Sequence, residues 1–523
     1  MFVKTHSAAV NGLIVNSVTV ECSVDMGQNL SLTGLGDEAV KESLSRIRTA
    51  YRYSGYKLPN KAITINLSPA NLRKEGSAYD LPIAVAILAA NGDIPGSHLG
   101  EYMLLGELGL DGTLKPITGA LPISILARKE KYKGLIVPKA NELEAAVVNN
   151  LEVYGMETLT EVISFLSDQR EAQPVEYDTR AVFYSGQYSF DIDFADVRGQ
   201  ESVKRAMEIA AAGGHNMIMI GPPGSGKSMM AKRLPTILPP LSLAESLETT
   251  QIHSVAGKIG DRQALISVRP FRAPHHTISQ TALVGGGNNP TPGEISLAHN
   301  GVLFLDELPE FNKQTLEVLR QPLEDRTITI ARAKYTAQFP ASFMFVASAN
   351  PCPCGYYGDP THDCVCTPYQ IHRYMNKISG PLLDRIDIHC EIQAVPFAEL
   401  SKMQPGEPSA VIRERVIKAR DIQTNRFSDL PKSGGKEGTR VYCNAMMTER
   451  MLHEFAEPDA QSLDMLRMAM ERLKLSARAY SRILKVARTI ADLDGSEKVQ
   501  SQHIAEAIGY RSLDRGDWAE RGI

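Results

Sequence analysis

The sequence predicts an α/β protein in which a core with a parallel sheet is preceded by an α+β region and followed by a helical region. Three observations predict this arrangement. The central part contains continuous apolar runs, which are typical of parallel strands covered on both faces. One of these runs leads into a glycine-rich loop and then into a helical pattern. The N-terminal part alternates strand-like with helix-like segments, whereas the C-terminal part has helical periodicity. We place the three regions at residues 1–180, 181–395 and 396–523.

Size and composition indicate a globular protein. The chain has 523 residues, of which 43% are hydrophobic and 22% charged, and this length suggests about three domains. No apolar run reaches the ~18 residues that cross a bilayer, and residues 81–90 (LPIAVAILAA) predict a buried helix. The N-terminus lacks the apolar core of a signal peptide, so we expect a cytoplasmic protein without a membrane partner. The net charge of −4 leaves any binding of nucleic acid to local loops, repeated around an oligomer.

The predicted elements of the first region alternate between strands and helices. They are strands at residues 12–15, 18–24 and 62–67, and helices at residues 37–50 and 80–91. Residues 106–114 predict a hairpin that turns at Asp111 and Gly112. The polar stretch 167–187 indicates a linker. In the third region, the strongest helical spacing covers residues 471–492.

The most specific motif is a phosphate-binding loop of the pattern G-x-x-x-x-G-K-[ST], between a short apolar run and the start of a helix. It consists of Gly221, Pro222, Pro223, Gly224, Ser225, Gly226, Lys227 and Ser228, followed by Met229. Its glycines allow backbone N–H groups to point at phosphate oxygens, and the helix N-terminus adds a partial positive charge. We expect Lys227 to reach the β- and γ-phosphates and Ser228 to ligate Mg²⁺.

A second apolar run, residues 301–305, ends in the two carboxylates Asp306 and Glu307. Functional groups in open α/β sheets lie at the carboxyl ends of strands. We therefore expect Asp306 to hold Mg²⁺ through its water shell and Glu307 to polarise the attacking water as a base. Without the phosphate loop, the same pattern would indicate a strand that ends in an acidic loop.

Two further residues extend the predicted catalytic set. The apolar strand 343–349 ends at Asn350, whose side chain suits orienting the water and sensing the γ-phosphate. Arg385 has a planar, permanently charged guanidinium, so we expect it to act as an arginine finger toward a neighbouring subunit. The alternative for Arg385 is a surface salt bridge with Asp384 or Asp387.

The order of these motifs resembles that of an AAA+ ATPase, and more narrowly that of the magnesium-chelatase-like ComM (YifB) family. The resemblance covers essentially the whole chain and rests on residues 196–200 (DVRGQ), 221–228 (GPPGSGKS), 269–277 (RPFRAPHHT), 293–307 (GEISLAHNGVLFLDE) and 348–355 (SANPCPCG). It implies ATP and Mg²⁺ as cofactors, a ring-shaped homohexamer, and a motor that drives DNA branch migration during uptake of transforming DNA. By the same resemblance, residues 476–482 take the place of the lid arginine (sensor 2), with Arg478 preferred and Arg482 as the alternative.

Residues 326–339 (RTITIARAKYTAQF) predict a β-hairpin where this ATPase clade carries a pore-facing hairpin. Its tip holds Arg332, Lys334 and Tyr335, two cations and an aromatic ring that suit DNA phosphates and stacked bases. Six copies around one channel would sum their phosphate contacts. The alternative is an ordinary hairpin on the surface.

A second candidate for DNA contact is the loop 267–287. Ahead of a glycine run it carries two arginines and two histidines, Arg269, Arg272, His275 and His276. The glycines favour the mobility that a translocating element needs. The alternative is an ordinary surface loop.

Four of the seven cysteines form two C-x-C pairs, Cys352 with Cys354 and Cys364 with Cys366. Four thiolates suit tetrahedral Zn²⁺, and such clustering in a reducing compartment favours metal over disulfides. We predict a zinc site that stiffens a loop beside the nucleotide, although structural sites more often place two or more residues between paired cysteines. His362 or His372 is an alternative ligand, and four free cysteines are the alternative to a metal.

The first region resembles the proteolytic domain of Lon and the Lon-like domain of RadA. Residues 73–80 (RKEGSAYD) stand where Lon proteases carry P-x-D-G-P-S-A-G. In this alignment the nucleophilic serine falls at Ala78 and the catalytic lysine at Leu121, while Ser77 is one position away. Because a serine nucleophile needs an adjacent base, we predict no peptidase activity and a scaffold role, in DNA binding or ring assembly.

Two other functions fit an ATPase of this kind. One is a metal-insertion ATPase analogous to the magnesium chelatase of chlorophyll synthesis, whose motor subunits lack a Lon-like domain and the cysteine pairs. The other is an ATP-dependent chaperone or other protein-remodelling enzyme. The altered protease positions argue against proteolysis but not against protein remodelling.

Overall fold

The computed structural model describes residues 1–260, 264–287, 290–332, 335–360, 362–393, 404–428, 441–473, 475–511 and 513, with Arg332 and Tyr335 described by their backbone. The predicted DNA-contact residue Lys334 and the predicted domain boundary between residues 395 and 396 lie outside these residues. Both boundaries, at 180/181 and at 395/396, stay predictions. The described chain has the predicted class, a mixed α/β fold with a parallel core sheet and a helical C-terminal region.

The N-terminal region is built on one mixed sheet. Its strands are β1 (Phe2–Asn11), β2 (Ile14–Asp25), β3 (Leu30–Thr33), β4 (Ala62–Ser68), β5 (Tyr102–Leu104), β8 (Gly134–Pro138) and β9 (Glu152–Met156). They follow the order β3-β4-β2-β1-β5-β8-β9. Strand β2 is antiparallel to β4 and β1, whereas the pairs β3–β4, β1–β5, β5–β8 and β8–β9 are parallel. A separate hairpin joins β6 (Glu107–Leu108) to β7 (Leu114–Lys115), which confirms the turn predicted at Asp111 and Gly112.

The helices of this region are Glu38–Tyr53, Asp80–Asn91, Ala120–Lys129, Glu142–Ala146 and Leu159–Leu166. Helix Asp80–Asn91 contacts β1 and β2 and is buried from its first residue to Ala90. A helix that is apolar on all sides has to lie inside a fold, so its predicted burial is confirmed.

The stretch predicted as a linker, residues 167–187, contains the helix Thr179–Gly186. Asp178 caps this helix by accepting the backbone amides of Arg180 and Ala181. The side chain of Phe183 is buried in a cluster shared by the N-terminal region and the core, with Leu121, Val147, Val148, Leu241, Leu265 and Ile266. The polar composition of this stretch did not indicate a helix, although one buried aromatic side chain is enough to anchor a short helix.

The core is a five-stranded sheet whose neighbouring strands are all parallel. Its strands are β10 (Met217–Ile220), β11 (Phe271–Arg272), β14 (Val302–Leu305), β17 (Met344–Ala349) and β18 (Ile388–Glu391). They follow the order β11-β14-β17-β10-β18. Strands β10, β14 and β17 are buried at every residue, as the apolar runs predict for strands covered on both faces.

Two hairpins extend from the core, one of β12 (Gly285–Gly286) with β13 (Thr291–Pro292) and one of β15 (Thr327–Arg332) with β16 (Tyr335–Pro340). The longer core helices are Glu201–Gly213, Lys227–Ile237, Leu243–Val255 and Pro368–Met375. Shorter helices are Gln280–Val284, Glu294–Leu297, Lys313–Glu317, Arg320–Asp325 and Gly380–Leu383.

The C-terminal region consists of the helices Ser409–Ser428, Glu449–Phe455, Ala460–Leu473, Ala477–Leu493 and Ser501–Gly509. The single helix predicted over residues 471–492 is wrong in its extent, because one helix ends at Leu473 and another begins at Ala477. Ser476 caps the second helix by accepting the amide of Ala479, and a serine in this role favours a helix start over a helix interior. Helix Ala477–Leu493 packs on helix Glu201–Gly213, which joins this region to the core.

Among the described residues, no helix combines the length and the apolarity that crossing a membrane requires.

Candidate nucleotide-binding site and cysteine cluster

The ends of three neighbouring strands bring the predicted nucleotide-binding residues together. Strand β10 leads into the phosphate loop, β14 into Asp306 and β17 into Asn350, and the three strands are parallel and adjacent. Gly226 is the N-cap of the helix that begins at Lys227, so the loop amides and a helix N-terminus converge. The loop thus has the strand–turn–helix surroundings that its pattern requires.

The side chain of Lys227 is folded back over its own loop. Its ammonium group donates to the carbonyl oxygens of Gly221 (2.7 Å) and Pro222 (2.9 Å) and to Asn350 Oδ1 (3.2 Å). Burial lowers the pKa of Lys227, and the two nearby carboxylates oppose this shift. The ammonium group of Lys227 is therefore held by three neutral oxygens. The charged oxygens of a triphosphate would be stronger acceptors for it.

The two predicted Mg²⁺ ligands contact each other directly. Ser228 Oγ donates to Asp306 Oδ2 at 2.6 Å. Ser348 Oγ donates to Asp306 Oδ1, and the amide of Glu307 reaches the same oxygen at 3.1 Å. A hydroxyl beside a carboxylate is the hard oxygen donor set that Mg²⁺ prefers. These residues fit a magnesium–nucleotide site, in which Ser228 would ligate the ion and Asp306 would hold it through water.

Glu307 is held in a strained and defined position. Its φ of 53° lies in the left-handed region, which costs a non-glycine residue roughly 1 kcal/mol. Its amide donates to Ser348 Oγ at 3.1 Å, and its Oε2 lies 4.0 Å from His276 Nδ1. The side chain is 52% exposed, so water reaches the carboxylate, as the predicted base requires.

The second candidate for DNA contact, the loop 267–287, is well packed. Arg272 forms a bidentate ion pair with Glu294, at 2.6 and 2.7 Å. His275 and His276 have ring centroids 4.0 Å apart, and His276 lies beside the predicted base. The glycine run begins as β12, which is buried and paired with β13, so at this point the expected mobile loop is a packed hairpin.

Arg385 binds a residue that the sequence analysis did not name. Its Nη2 donates to Glu324 Oε2 at 2.7 Å and its Nη1 to the carbonyl of Pro381 at 2.6 Å. The partner is therefore Glu324 and neither of the predicted alternatives, Asp384 and Asp387. Arg385 itself is 7% exposed, but it lines an open cleft of about 580 Å³ beside helix Arg320–Asp325.

The two candidates for the lid arginine differ in how firmly they are held. Arg482 Nη1 lies 2.9 Å from Oδ1 of Asp387, a carboxylate that is 1% exposed. Arg478 is 62% exposed and lies 3.6 Å from Asp384 Oδ2. A hydrogen bond from Arg385 lowers the pKa of Glu324, and the charges of Arg478 and Arg482 add to this effect. Arg385 contacts Glu324 directly, and Arg478 has the more exposed side chain of the two candidates.

The β-hairpin predicted over residues 326–339 is confirmed. Its register runs from Thr327 opposite Pro340 to Arg332 opposite Tyr335. Three buried side chains, Ile328, Ile330 and Phe339, anchor it on the core. The hairpin is therefore anchored on the core and lies between β14 and β17 along the chain, with the predicted DNA-contact positions Arg332 and Tyr335 at the ends of its strands.

The four clustered cysteines bring their sulfur atoms together. The Sγ–Sγ distances are 3.3 Å from Cys352 to Cys354, 3.7 Å from Cys352 to Cys364 and 3.6 Å from Cys354 to Cys364. With Cys366, all four sulfur atoms lie within 4.8 Å of one another. Zn–S bonds of about 2.3 Å in a tetrahedron separate the sulfurs by about 3.8 Å, so the donor set fits Zn²⁺.

The alternative histidine ligands are not needed for this donor set. His362 stacks on Tyr356, with ring centroids 4.7 Å apart, and His372 contacts Asn376. The backbone amide of Cys354 donates to Cys366 Sγ at 3.4 Å, a contact that favours the thiolate form of a metal ligand.

The protease-like positions of the N-terminal region have other partners. Ser77 donates to the carboxylate of Glu107, and Leu121, at the lysine position, is fully buried in the cluster shared with the core. The nearby Lys74 donates to a backbone carbonyl, and burial lowers its pKa. Ser77 therefore pairs with a carboxylate and not with the lysine that a Lon-type nucleophile uses.

Sequence reasoning missed two residues that organise the site. Ser348 fixes both Asp306 and Glu307, and its signal was a single hydroxyl within an otherwise apolar strand. Glu324 gave no comparable signal, because its partner Arg385 is 61 residues away along the chain.

Three family models match the chain. "Subunit ChlI of Mg-chelatase" matches residues 20–141, "Magnesium chelatase, subunit ChlI" matches residues 193–400, and "Magnesium chelatase, subunit ChlI C-terminal" matches residues 406–511. The middle match contains the phosphate loop, both carboxylates, Asn350 and Arg385, so the candidate site lies within one recognised domain type.

Relatives of known sequence are similar over nearly the full length. Competence protein ComM of Haemophilus influenzae is 43% identical over 516 residues, which cover 98% of this chain and 97% of that protein. The YifB protein of Escherichia coli is 43% identical over 515 residues, with the same shares covered. Lon protease 2 of Bacillus subtilis is 26% identical over 185 residues, 31% of this chain and 33% of that protein. The chain therefore belongs to the magnesium-chelatase-like ComM (YifB) family of AAA+ ATPases, with a Lon-protease-like region in its N-terminal part.

Proposed function

We propose that the protein is an ATP-driven ring motor that acts on branched DNA, as a branch-migration helicase in natural transformation or recombination. Membership of a magnesium-chelatase-like AAA+ family supports hydrolysis of ATP with Mg²⁺. The relative named as a competence protein, which is similar over 98% of the chain, supports a role in transformation.

The observation that carries this proposal is the location of the arginines. The polar contacts that the structure gives for Lys227, Ser228, Asp306 and Glu307 are made with backbone carbonyls, with one another, and with Asn350, Ser348 and His276. Arg385 instead pairs with Glu324 and lines an open cleft beside helix Arg320–Asp325. Transfer of a phosphoryl group is promoted by positive charge beside the γ-phosphate, and an arginine from another protomer can supply this charge. A neighbour that docks head to tail would supply it at every interface, and such contacts form a ring where their rotation closes.

In the proposed cycle each side chain has one task. The phosphate loop and Lys227 bind the phosphates, and Ser228 and Asp306 hold Mg²⁺, which neutralises phosphate charge when bound. Glu307 accepts a proton from the attacking water, which Asn350 orients. Arg385 of one protomer stabilises the charge that develops at the γ-phosphate of the next.

The DNA contacts belong to the same proposal. The hairpin of β15 and β16 is anchored by buried side chains, and its tip residues Arg332, Lys334 and Tyr335 suit a DNA backbone and stacked bases. Arg272 and His276 would contact DNA only after leaving Glu294 and the vicinity of Glu307, whereas His275 is more exposed. We therefore regard the hairpin as the main DNA contact.

The test is the ATPase rate with branched DNA, with linear duplex and without DNA, together with dissociation of a four-way junction. We expect stimulation that is larger for branched DNA, and loss of stimulation in the combined variant Arg332→Ala, Lys334→Ala and Tyr335→Ala with the basal rate retained. The matched control is Lys232→Ala, an exposed cation on the core helix Lys227–Ile237. Equal rates with and without DNA, and intact junctions, would overturn the proposal.

Two other functions are outcomes of the same assay. ATP hydrolysis that responds to a protein substrate and not to DNA would favour a protein-remodelling ATPase. Hydrolysis that depends on a porphyrin and its metal ion would favour a metal-insertion ATPase of the chelatase type.

We also propose Zn²⁺ as the ligand of the four cysteines, because the sulfur spacing matches a tetrahedral thiolate site. Metal analysis of protein purified without chelator should find one Zn²⁺ per protomer, and a ratio near zero would overturn this assignment.

A further inference from the structure

We propose that the cysteine cluster is a metal-dependent support of the phosphate loop, so that bound Zn²⁺ raises the affinity of the protein for its nucleotide. The inference rests on the proposed nucleotide binding and on the proposed zinc, and it adds a coupling between these two sites. The coupling is inferred from two contacts between the cysteine loop and the phosphate loop.

The first contact runs through Asn350. This residue directly follows strand β17 and accepts a hydrogen bond from Lys227 Nζ at 3.2 Å. Only Pro351 separates it from Cys352, a fully buried ligand of the cluster. A proline has little conformational freedom, so a shift of Cys352 moves Asn350 and the acceptor that it offers to the lysine.

The second contact joins the two loops directly. Gly355 follows the first cysteine pair, is buried, and has a φ of +88°. A Cβ added at Gly355 would lie 2.6 Å from Cδ and 2.7 Å from Cγ of Pro223, the third residue of the phosphate loop. The backbone of the cysteine loop is thus packed against the ring of Pro223, and only glycine leaves room for this approach.

A metal bound by the four sulfur atoms determines whether the backbone at Gly355 is held against Pro223. The cluster joins residues 352–354 to residues 364–366, and a tetrathiolate site closes the loop between them around Gly355. Without the metal, this loop keeps the turn hydrogen bond from the Gly355 amide to the Cys352 carbonyl, but it loses the cross-link. Closing such a loop removes conformational freedom that binding of the nucleotide would otherwise have to remove.

Thermodynamic linkage makes the coupling measurable from both sides. If Zn²⁺ tightens nucleotide binding by some factor, the nucleotide must tighten Zn²⁺ binding by the same factor. We expect the dissociation constant of a fluorescent ADP analogue to rise about 5-fold or more when Zn²⁺ is stripped with a thiol-compatible chelator in the presence of Mg²⁺, the lower end of typical coupling between sites. Added Zn²⁺ should restore it, and the equilibrium affinity for Zn²⁺ should rise by a similar factor when ADP is present.

A pair of glycine variants separates this contact from general strain in the loop. Gly355 and Gly358 both have a positive φ, at +88° and +77°, but a Cβ at Gly358 would meet no atom within 4 Å. Both alanine substitutions therefore have a similar free-energy cost for the backbone conformation, but only in Gly355→Ala does the added Cβ collide with Pro223. We expect both to bind Zn²⁺, Gly355→Ala to bind the ADP analogue about 5-fold more weakly, and Gly358→Ala to match the wild type.

The possible results are distinct. No Zn²⁺ in the purified protein, an unchanged affinity for ADP after stripping, or equal effects of the two glycine variants would each overturn the coupling. A wild-type protein that binds Zn²⁺ but no nucleotide would overturn the proposed ATPase function and the coupling together. Failure of DNA to stimulate hydrolysis bears on the motor function alone, because no DNA enters these measurements.

Discussion

Lys227 donates a 3.2 Å hydrogen bond to the side-chain oxygen of Asn350, which joins the phosphate loop to the end of the adjacent strand β17. The two residues are 123 positions apart in the sequence, so the parallel sheet alone brings them together. The contact brings together Lys227, the predicted phosphate-binding cation, and Asn350, the predicted γ-phosphate sensor. A nucleotide that draws Lys227 away also frees the side chain of Asn350 to orient water.

Lys227→Ala should abolish binding of ATP. The variant loses the only cation that contacts the loop carbonyls among the described residues, and with it the charge that faces the phosphates. Binding of a fluorescent ATP analogue measures this effect. Lys232→Ala, in which an exposed lysine of the same helix is removed, should bind like the wild type. Normal binding by Lys227→Ala would contradict the assignment of this loop.

Glu307→Gln should bind ATP but hydrolyse it about 10²–10⁴-fold more slowly, which is the usual contribution of a general base. The amide keeps the shape of the side chain but cannot accept the proton, so ATP-bound rings should accumulate. Single-turnover hydrolysis and size-exclusion chromatography with ATP measure the two effects. Glu310→Gln is the matched control, because Glu310 is an acidic residue of the same turn that pairs with Lys377 at 3.6 Å. A Glu307→Gln rate close to that of the control would contradict the role of Glu307.

Much of the nucleotide site could be predicted from the sequence because its residues stand in local patterns. The phosphate loop, the carboxylates after β14 and Asn350 after β17 each follow an apolar strand, and a parallel sheet aligns the ends of its strands. The hairpin at residues 326–339 was predictable for a similar reason, because its alternating pattern and its turn lie within one short segment.

The parts that could not be predicted depend on contacts between distant segments. The pairing of Arg385 with Glu324 and the packing of Gly355 on Pro223 have no local sequence signal. The linker prediction missed helix Thr179–Gly186 because its anchor, Phe183, is buried in a cluster that includes residues distant in the sequence, from the N-terminal region and from the core. These features depend on contacts with distant segments of the folded chain, which the amino-acid composition does not report.

Arg385→Ala should retain ATP binding and lose most hydrolysis, because in the proposed ring the arginine acts on the nucleotide of a neighbour. An arginine finger contributes about 10³–10⁵-fold to the rate in related phosphoryl-transfer enzymes. Mixing Arg385→Ala with Lys227→Ala tests the shared site. Each protein is inactive alone, but a mixed ring contains interfaces at which one protomer supplies the loop and the other supplies the arginine.

We expect partial recovery of hydrolysis in this mixture, measured as phosphate release at constant total protein. Arg320→Ala is the matched control, since Arg320 lines the same cleft and pairs with Glu317 at 2.6 Å. No recovery on mixing, or normal hydrolysis by an isolated Arg385→Ala monomer, would contradict the shared site.

Arg478→Ala and Arg482→Ala should separate a catalytic from a structural arginine. Arg478 is 62% exposed with a distant partner, so its loss should lower hydrolysis and change the free energy of unfolding by no more than about 0.5 kcal/mol. Arg482 pairs with the buried Asp387, and removing one partner of such a pair costs about 3 kcal/mol. Hydrolysis measures the first effect and unfolding in urea the second.

The pH dependence of unfolding identifies the structural arginine independently of activity. Burial alone would raise the pKa of Asp387, but the charge of Arg482, the adjacent His215 ring and the charge of Lys485 lower it well below its usual range. Because the folded-state pKa lies below the unfolded value of about 3.9, ionised Asp387 stabilises the fold above pH ~4, and this contribution is lost as the pH falls further. The difference in unfolding free energy between wild type and Arg482→Ala should therefore be largest near pH 7 and shrink below pH ~4. A difference that is independent of pH, or an Arg478→Ala variant that is equally destabilised, would show that Asp387 and Arg482 do not form the pair that holds this part of the fold.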